Sequence, residues 1–272
     1  MGSEMCIRDR VKYVGPCSVS SGINGHTAST LTYEYDAEGR VTALVTDVMN
    51  HDGVKQRTER SYDSEGRLVE EFSLSESGER AYTKTLAYDA RGNLVKEHIE
   101  SRKATTTRTL RYDDQGRVSG ESTNSGEVRH TYDDQGRLTS KKHLDTKGAA
   151  QGTTALTYDA AGNVLSEVRT NAEGTVIRAM EYLYDDGGRR TSETMKRGDR
   201  VVVVTLTHYE GDNPVRVETD HRGDGHIDAT KVLRYDTAGN LLSEELDVTG
   251  DGRTLETTTY GYGCWGSSAA AH

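Results

Sequence analysis

A seven-residue motif, Tyr-Asp-x-x-Gly-Arg/Asn-apolar, constrains the fold of this chain more than any other feature. Including one degenerate copy, it occurs nine times at intervals of 20 to 27 residues, starting at Tyr35, Tyr62, Tyr88, Tyr112, Tyr132, Tyr158, Tyr184, Tyr209 and Tyr235. A regular period of about 20–50 residues is typical of repeat proteins, in which each unit packs only on its neighbours. We therefore predict one continuous repeat array.

Each repeat has the pattern of a β-hairpin. The residues that end in the tyrosine alternate apolar and polar side chains, as in Leu31 to Tyr35, which indicates a half-buried strand. A second strand starts at the last residue of the motif, at Val41 or Leu68 for example. The chain has only one Phe and one Trp, so the tyrosines of the eight complete motifs are predicted to fill the core: Tyr35, Tyr62, Tyr88, Tyr112, Tyr132, Tyr158, Tyr184 and Tyr235.

The Asp and the Gly of the motif are predicted to form the turn between these strands. An Asp side chain accepts hydrogen bonds from nearby backbone N–H groups, and a Gly three residues later takes a positive φ without steric cost. The predicted pairs are Asp36 and Gly39, Asp63 and Gly66, Asp89 and Gly92, Asp113 and Gly116, Asp133 and Gly136, Asp159 and Gly162, Asp185 and Gly188, and Asp236 and Gly239.

Four segments are predicted along the chain. Residues 1–10 resemble the translation of a sequencing adapter and are set aside as an artefact, so the native N-terminus is expected to be missing. Residues 11–30 are a linker or lead-in strand, 31–265 the repeat domain and 266–272 a frayed tail. Cys17 and Cys264 could form a disulfide bond only if the two ends of the array meet.

Composition excludes several classes of partner. The chain has 44 acidic and 34 basic residues, a net charge of −10, which argues against binding to nucleic acid or to anionic lipid. It has no run of about 18 apolar residues, so no membrane span is predicted.

The motif at this spacing resembles the YD repeat of the RHS (rearrangement hot spot) family over residues 31–262. The resemblance implies β-hairpins laid side by side in a coiling sheet, which in the large members of the family forms a hollow shell around a toxic C-terminal domain. It also implies a bacterial toxin or cell-surface protein. The Asp-Pro-x-Gly-Leu junction that ends the core of those large members is absent from this sequence.

Nine hairpins would give about 18 strands and a sheet roughly 85 Å wide. Open sheets of more than about ten strands curl. We therefore expect an all-β repeat array of about nine antiparallel hairpins in a curled, coiled or partly rolled sheet, and not a container for a protein cargo.

A glutamate recurs nine residues after the tyrosine in seven of the nine repeats. This column is predicted to form cross-strand ion pairs with the arginines of the motif, and an acidic stripe that binds cations or basic partners is the alternative. The glutamates are Glu71, Glu97, Glu121, Glu167, Glu193, Glu218 and Glu244, and the arginines are Arg40, Arg67, Arg117, Arg137 and Arg189.

Two Asp-rich loops resemble fragments of a calcium-binding loop. They lack the acidic ligands expected at positions 3 and 12, so an Asp-Gly turn is the alternative. Calcium is the only cofactor that the sequence suggests, and its candidate ligands are Asp220, Asp224, Asp228, Asp247 and Asp251.

No nucleophile motif, phosphate loop or paired zinc cysteines occur, so we predict that the chain is not an enzyme. The sequence favours a bacterial cell-surface or secreted scaffold that binds carbohydrate or protein. Two alternatives stay open: a fragment of a larger RHS toxin shell, and an enzyme with carboxylates inside a rolled sheet. The predicted location is extracellular or at the cell surface.

Overall fold

The computed structural model describes residues 15–48, 55–75 and 78–263. The predicted adapter segment, Cys264 and the predicted tail lie outside the described residues. Twenty strands are described: β1 (Ser18–Ile23), β2 (His26–Tyr35), β3 (Val41–Val48), β4 (Lys55–Tyr62), β5 (Leu68–Leu74), β6 (Arg80–Tyr88), β7 (Leu94–Ser101), β8 (Thr105–Tyr112), β9 (Val118–Thr123), β10 (Gly126–Tyr132), β11 (Leu138–Leu144), β12 (Ala150–Tyr158), β13 (Val164–Thr170), β14 (Val176–Tyr184), β15 (Arg190–Arg197), β16 (Arg200–Glu210), β17 (Asn213–Asp220), β18 (Ala229–Tyr235), β19 (Leu241–Asp247) and β20 (Glu256–Gly261).

Every strand pairs antiparallel with the strands before and after it in the chain. The sheet closes because β1 pairs with β20 as well as with β2, so that Val19 lies opposite both Leu31 and Tyr260. At the junction of the two ends, the Cys17 backbone N–H donates to the Gly261 carbonyl at 2.6 Å. The chain therefore forms a closed 20-stranded barrel in which each described strand has two neighbours.

The all-β array of antiparallel hairpins is as predicted, and the sheet goes further than the expected curled, coiled or partly rolled form because its two ends pair and close it. Residues Ser18–Ile23, within the segment predicted as a linker or lead-in strand, form the strand that closes the ring. Closure pairs the backbone groups that two free edges would leave exposed, which removes a site for edge-to-edge association.

The two faces of the sheet differ in accessibility. Side chains alternate along each strand and partners in antiparallel strands share a face, so the motif tyrosines define one surface, here named the tyrosine face. In β12, Leu156 and Tyr158 on this face are half-buried, whereas Ala155 and Thr157 on the opposite face are exposed.

The barrel has no deep core. The buried apolar residues are few and mostly small, such as Ala43 and Ala179, and no large side chain among the described residues is fully buried. The accessible surface of 17500 Å² exceeds the roughly 11,700 Å² expected for a compact protein of 29.9 kDa. The motif tyrosines, predicted to fill a core, are accordingly only half-buried.

Candidate functional site

The Asp of each complete motif organises its turn. In the turn after Tyr132, the Asp133 carboxylate accepts backbone N–H bonds from Gln135 at 3.0 Å and Arg137 at 2.8 Å. Gly136 closes the turn with φ 82°, and its N–H donates to the Asp133 carbonyl at 2.9 Å. All eight predicted glycines have positive φ, so the turn requires a residue without a Cβ at this position.

The sixth residue of the motif donates a further bond to the same Asp. Where it is arginine, Nε donates to the second carboxylate oxygen, as in Arg137 to Asp133 at 2.7 Å. Where it is asparagine, the amide replaces the guanidinium, as in Asn163 to Asp159 at 2.9 Å. The motif arginines therefore bind their own aspartates, and the predicted pairing with the glutamate column is wrong.

These bonds stabilise the ionised carboxylates. The side-chain and backbone bonds from Arg137 lower the pKa of Asp133, and Arg189 does the same for Asp185. The amide of Asn163 lowers the pKa of Asp159 in the same way.

The motif tyrosines link each repeat to the one before it. At the motif end of the barrel, pairing between repeats stops early: β11 and β12 separate beyond Ser140 and Ala155. The tyrosine hydroxyl spans this gap and donates to a backbone carbonyl on its far side, as Tyr158 does to Leu138. Ten such bonds of 2.7–3.0 Å run around the ring, from Tyr35, Tyr62, Tyr88, Tyr112, Tyr132, Tyr158, Tyr184, Tyr209, Tyr235 and Tyr262.

The motif arginines also contact the next repeat. The Arg137 guanidinium lies 4.9 Å from the centre of the Tyr158 ring, and Arg117 lies 4.4 Å from that of Tyr132. A cation over an aromatic face is attracted by the ring quadrupole. Arginine therefore joins two repeats through one guanidinium, a role that the sequence analysis did not anticipate. The same stacking occurs for Arg40 on Tyr62, Arg67 on Tyr88 and Arg189 on Tyr209.

Most of the glutamate column lies on the tyrosine face. Glu71 pairs with Arg60 at 2.7 Å, and Glu97 with Lys84 at 3.4 Å. These cations belong to strands on either side and not to the turns. The column therefore forms a partly shielded band of alternating charge.

Glu218 does not belong to this band, which corrects its predicted place in the column. In complete repeats the residue two before the tyrosine pairs with the residue nine after it, as Arg60 does with Glu71. The turn after Tyr209 is one residue shorter, so Thr207 pairs with Val217 and Glu218 lies on the opposite face. A one-residue shift reverses the faces because strand side chains have a period of two. There Glu218 binds His208 at 2.8 Å and Arg216 at 2.7 Å.

The predicted calcium ligands make hydrogen bonds within their own loops. The buried Asp220 carboxylate accepts backbone bonds from Arg222, Gly223 and Gly225, and Asp228 binds Arg222 at 2.6 Å.

The second loop follows the same plan. Asp247 accepts bonds from Thr249, Gly250 and Gly252, and Asp251 accepts one from Arg253. In the described part of the chain, no group of three or more His, Cys, Asp or Glu residues is arranged to hold a metal ion. The loop geometry thus favours the Asp-Gly turn that the sequence left as the alternative.

A cavity of about 550 Å³ lies at the degenerate repeat. Pairing of β17 with β18 stops at Arg216 and Val232, and the cavity occupies the gap beyond that point. Its walls include Glu210, Asn213, Arg216, Arg234, Tyr235 and Asp236. The sequence marked this place by Glu210 and the Asn-Pro pair, where the motif departs from its pattern.

Cys17 lies at the closing junction and is disulfide-bonded. Its backbone binds that of Gly261, three residues before Cys264 in the sequence. The predicted bridge to Cys264 falls outside the described residues. Within the described ranges, no helix is long and apolar enough to cross a membrane.

The closed sheet and its YD junctions define the class of this protein, an all-β shell built from YD repeats. A family model described as Teneurin YD-shell matches residues 12–248, so the chain belongs to that family. No curated protein matches it.

Solved structures similar to this chain are distant. A TcdB2-TccC3-TEV complex aligns with a TM-score of 0.37 and 17% identity over 82% of this chain and 12% of that one. A TcdB2-TccC3-Cdc42 complex gives 0.30 and 15% over 81% and 15%. A porin-like protein from Bacteroides uniformis gives 0.39 and 13% over 89% and 95%. The present chain thus spans only a small part of the two TcdB2-TccC3 chains.

Proposed function

We propose that this protein is a non-catalytic YD-type shell, a closed wall whose interior takes up a polypeptide segment and shields it. The observation that carries the proposal is the closed sheet of 20 strands, in which no large side chain of the described residues is fully buried. Such a wall does not fill its own interior. The RHS toxin-shell alternative is thereby favoured over a surface scaffold.

The size of the ring sets the kind of segment that it can hold. Twenty strands spaced about 4.8 Å apart give a backbone radius of roughly 15 Å before strand tilt is included. Side chains extend about 5 Å inward, which leaves an opening of about 20 Å. A helix is about 10–12 Å across, so an extended or helical segment fits and a folded domain does not. Carbohydrate binding stays a prediction from the sequence alone.

The location that we propose is outside the cell or at its surface. Disulfide bonds persist in oxidising compartments, and Cys17 is disulfide-bonded. Family membership supports the same location.

A tethered-peptide assay tests the shell. An unstructured protease-sensitive peptide of about 20 residues, joined to the C-terminus by a flexible linker, is digested beside the same peptide added free in solution. We expect cleavage of the tethered peptide to be at least about tenfold slower, because a closed wall excludes the protease.

Val19→Pro is the matched control. It removes a backbone donor from β1, which pairs with both β2 and β20, and should open the closing junction. Circular dichroism establishes that the remaining strands stay folded. Equal cleavage of tethered and free peptide by the wild-type barrel would contradict the proposal, as would undiminished protection in a folded Val19→Pro variant.

A further inference from the structure

The complete junctions show how this barrel holds a guanidinium group. The group binds the Asp of its own turn, lies over the next tyrosine ring and reaches the next turn. Arg117, for example, binds its own Asp113 at 2.7 Å. An added Cβ on Gly136 would lie 3.6 Å from Arg117 Nη1, and the Tyr132 ring is 4.4 Å away.

The junction between Tyr209 and Tyr235 keeps this cradle but not its guanidinium. Tyr235 still donates to the preceding repeat, to the Pro214 carbonyl at 3.0 Å. The shorter Asn213 takes the place of arginine. A Cβ added at Gly239 would lie 4.0 Å from Asn213 Nδ2, just as a Cβ added at Gly136 would lie near a nitrogen of Arg117. Glu210 replaces the Asp, and its exposed carboxylate makes no side-chain hydrogen bond or ion pair with the described residues.

A second guanidinium is missing at the same place. Asp236 is bound by the neutral amide of Asn240 at 2.8 Å and not by an arginine. The other two aspartates held by asparagine, Asp89 and Asp159, each follow a tyrosine that carries a stacked arginine. Among the eight complete motifs, only this one therefore lacks both an arginine on its ring and an arginine on its Asp.

The cavity retains negative charge despite two arginines in its wall. Arg216 binds Glu218 at 2.7 Å, and Arg234 binds Glu245 at 3.1 Å, so each is already neutralised by a carboxylate. Glu210 and Asp236 have no such cation. The volume of about 550 Å³ is ample for one side chain.

We propose that this cavity binds a guanidinium group, supplied by an arginine side chain of a partner polypeptide. The guanidinium lies over the Tyr235 ring beside Glu210, as the motif arginines do over five other rings. The site does not depend on what the barrel interior holds.

Blocked arginine (N-acetyl-L-arginine amide) is the probe, and its binding is followed by NMR shifts on titration. We expect millimolar binding, at least about fivefold weaker binding of blocked lysine, and none of blocked citrulline, which has the shape of arginine without the charge. If a Gly-Arg-Gly peptide binds with higher affinity than guanidinium chloride, the partner is a polypeptide. Guanidinium chloride binding as tightly as the peptide would overturn that assignment.

Asn213→Arg supplies the missing guanidinium within the chain and should abolish binding. Asn163→Arg is the matched control, since it makes the same change at another junction and should leave binding intact. Glu210→Gln should weaken binding at least about fivefold while the melting temperature stays unchanged. Undiminished binding by a folded Asn213→Arg variant, or citrulline binding as tightly as arginine, would overturn the proposal.

Discussion

Two junctions of the same ring, the one that carries Tyr158 and the one that carries Tyr235, differ by a single turn. At the first, Arg137 binds Asp133 and covers the Tyr158 ring. At the second, the preceding turn is one residue shorter, and a cavity lies beside Tyr235. Both keep the tyrosine hydroxyl bond to the previous repeat.

The difference separates two roles within the motif. The tyrosine joins repeats at both junctions, so it maintains the ring. Arginine covers the ring and neutralises the turn at the Tyr158 junction, whereas the Tyr235 junction lacks both arginines and has a cavity beside its ring. The same short turn also moves Glu218 off the tyrosine face, because the register shifts by one residue.

Acid should produce the largest effect, because it acts on all the complete turns together. Hydrogen bonds from arginine and asparagine hold the pKa of Asp133, Asp159 and Asp185 below the ordinary value of 3.8. A carboxyl with a depressed folded-state pKa stabilises the fold above its unfolded pKa, and this stabilisation is lost as the pH falls through the folded value. We expect the melting temperature to be constant near pH 6 and to fall progressively below about pH 4.

Asp133→Asn is the control for this pH dependence. The variant should be less stable at pH 7 and should lose less stability on acidification, because one of the titrating groups is gone. A melting profile with the same slope as wild type below pH 4 would show that the turn carboxylates are not responsible.

Truncating a motif tyrosine should give the next largest effect. Tyr158→Ala removes a half-buried ring and leaves the Leu138 carbonyl without its donor, so we expect a loss of about 3–5 kcal/mol in unfolding free energy. Tyr235→Ala should cost about 0.5–1 kcal/mol less, because no arginine is stacked on that ring. Denaturant unfolding measures both.

Tyr158→Phe separates the ring from its hydroxyl. It should cost only about 1 kcal/mol, the typical contribution of one hydrogen bond. Equal losses for Tyr158→Ala and Tyr235→Ala would mean that the stacked arginine contributes nothing.

A smaller loss is expected from the turn glycine. Gly188 has φ 76° and an added Cβ would meet nothing within 4 Å, so Gly188→Ala tests backbone conformation alone. We expect a loss of about 1–2 kcal/mol. The neighbouring Gly187 does not have positive φ, and a Cβ added there would lie 3.3 Å from Asp185 Oδ1, a contact that a small shift of the carboxylate relieves, so Gly187→Ala should cost less than Gly188→Ala. Comparable losses in the two variants would refute a conformational requirement at Gly188.

The smallest effect should come from exchanging one kind of junction for the other. Arg137→Asn keeps an amide for Asp133, as Asn163 does for Asp159, and loses the partly exposed ion pair with Asp133 and the stacking on Tyr158. We expect a loss of about 0.5–1 kcal/mol. In a Tyr158→Leu background there is no aromatic ring to stack on, so Arg137→Asn should lower the unfolding free energy by less than it does in the wild type. An equal loss in both backgrounds would mean that the effect arises in the turn and not from stacking.

Sequence and structure contributed different parts of this picture. Local spacing predicted the hairpins, and the Asp and Gly turns have the geometry expected of those residues, since a turn depends on side chains within five positions of one another. The partners of the arginines could not be predicted in this way. Arg137 meets Tyr158 only because adjacent repeats separate at the motif end, which depends on where pairing stops.

The sequence by itself determined an antiparallel array of YD hairpins, because period, alternation and turn chemistry are all local. Tertiary structure decided that the array closes, that Glu218 changes face and that a cavity opens beside Tyr235. Closure depends on strand number and on the contact of β1 with β20, which are separated by most of the chain. Register depends on the exact length of one turn, and its effect becomes visible only when the neighbouring strands are in place.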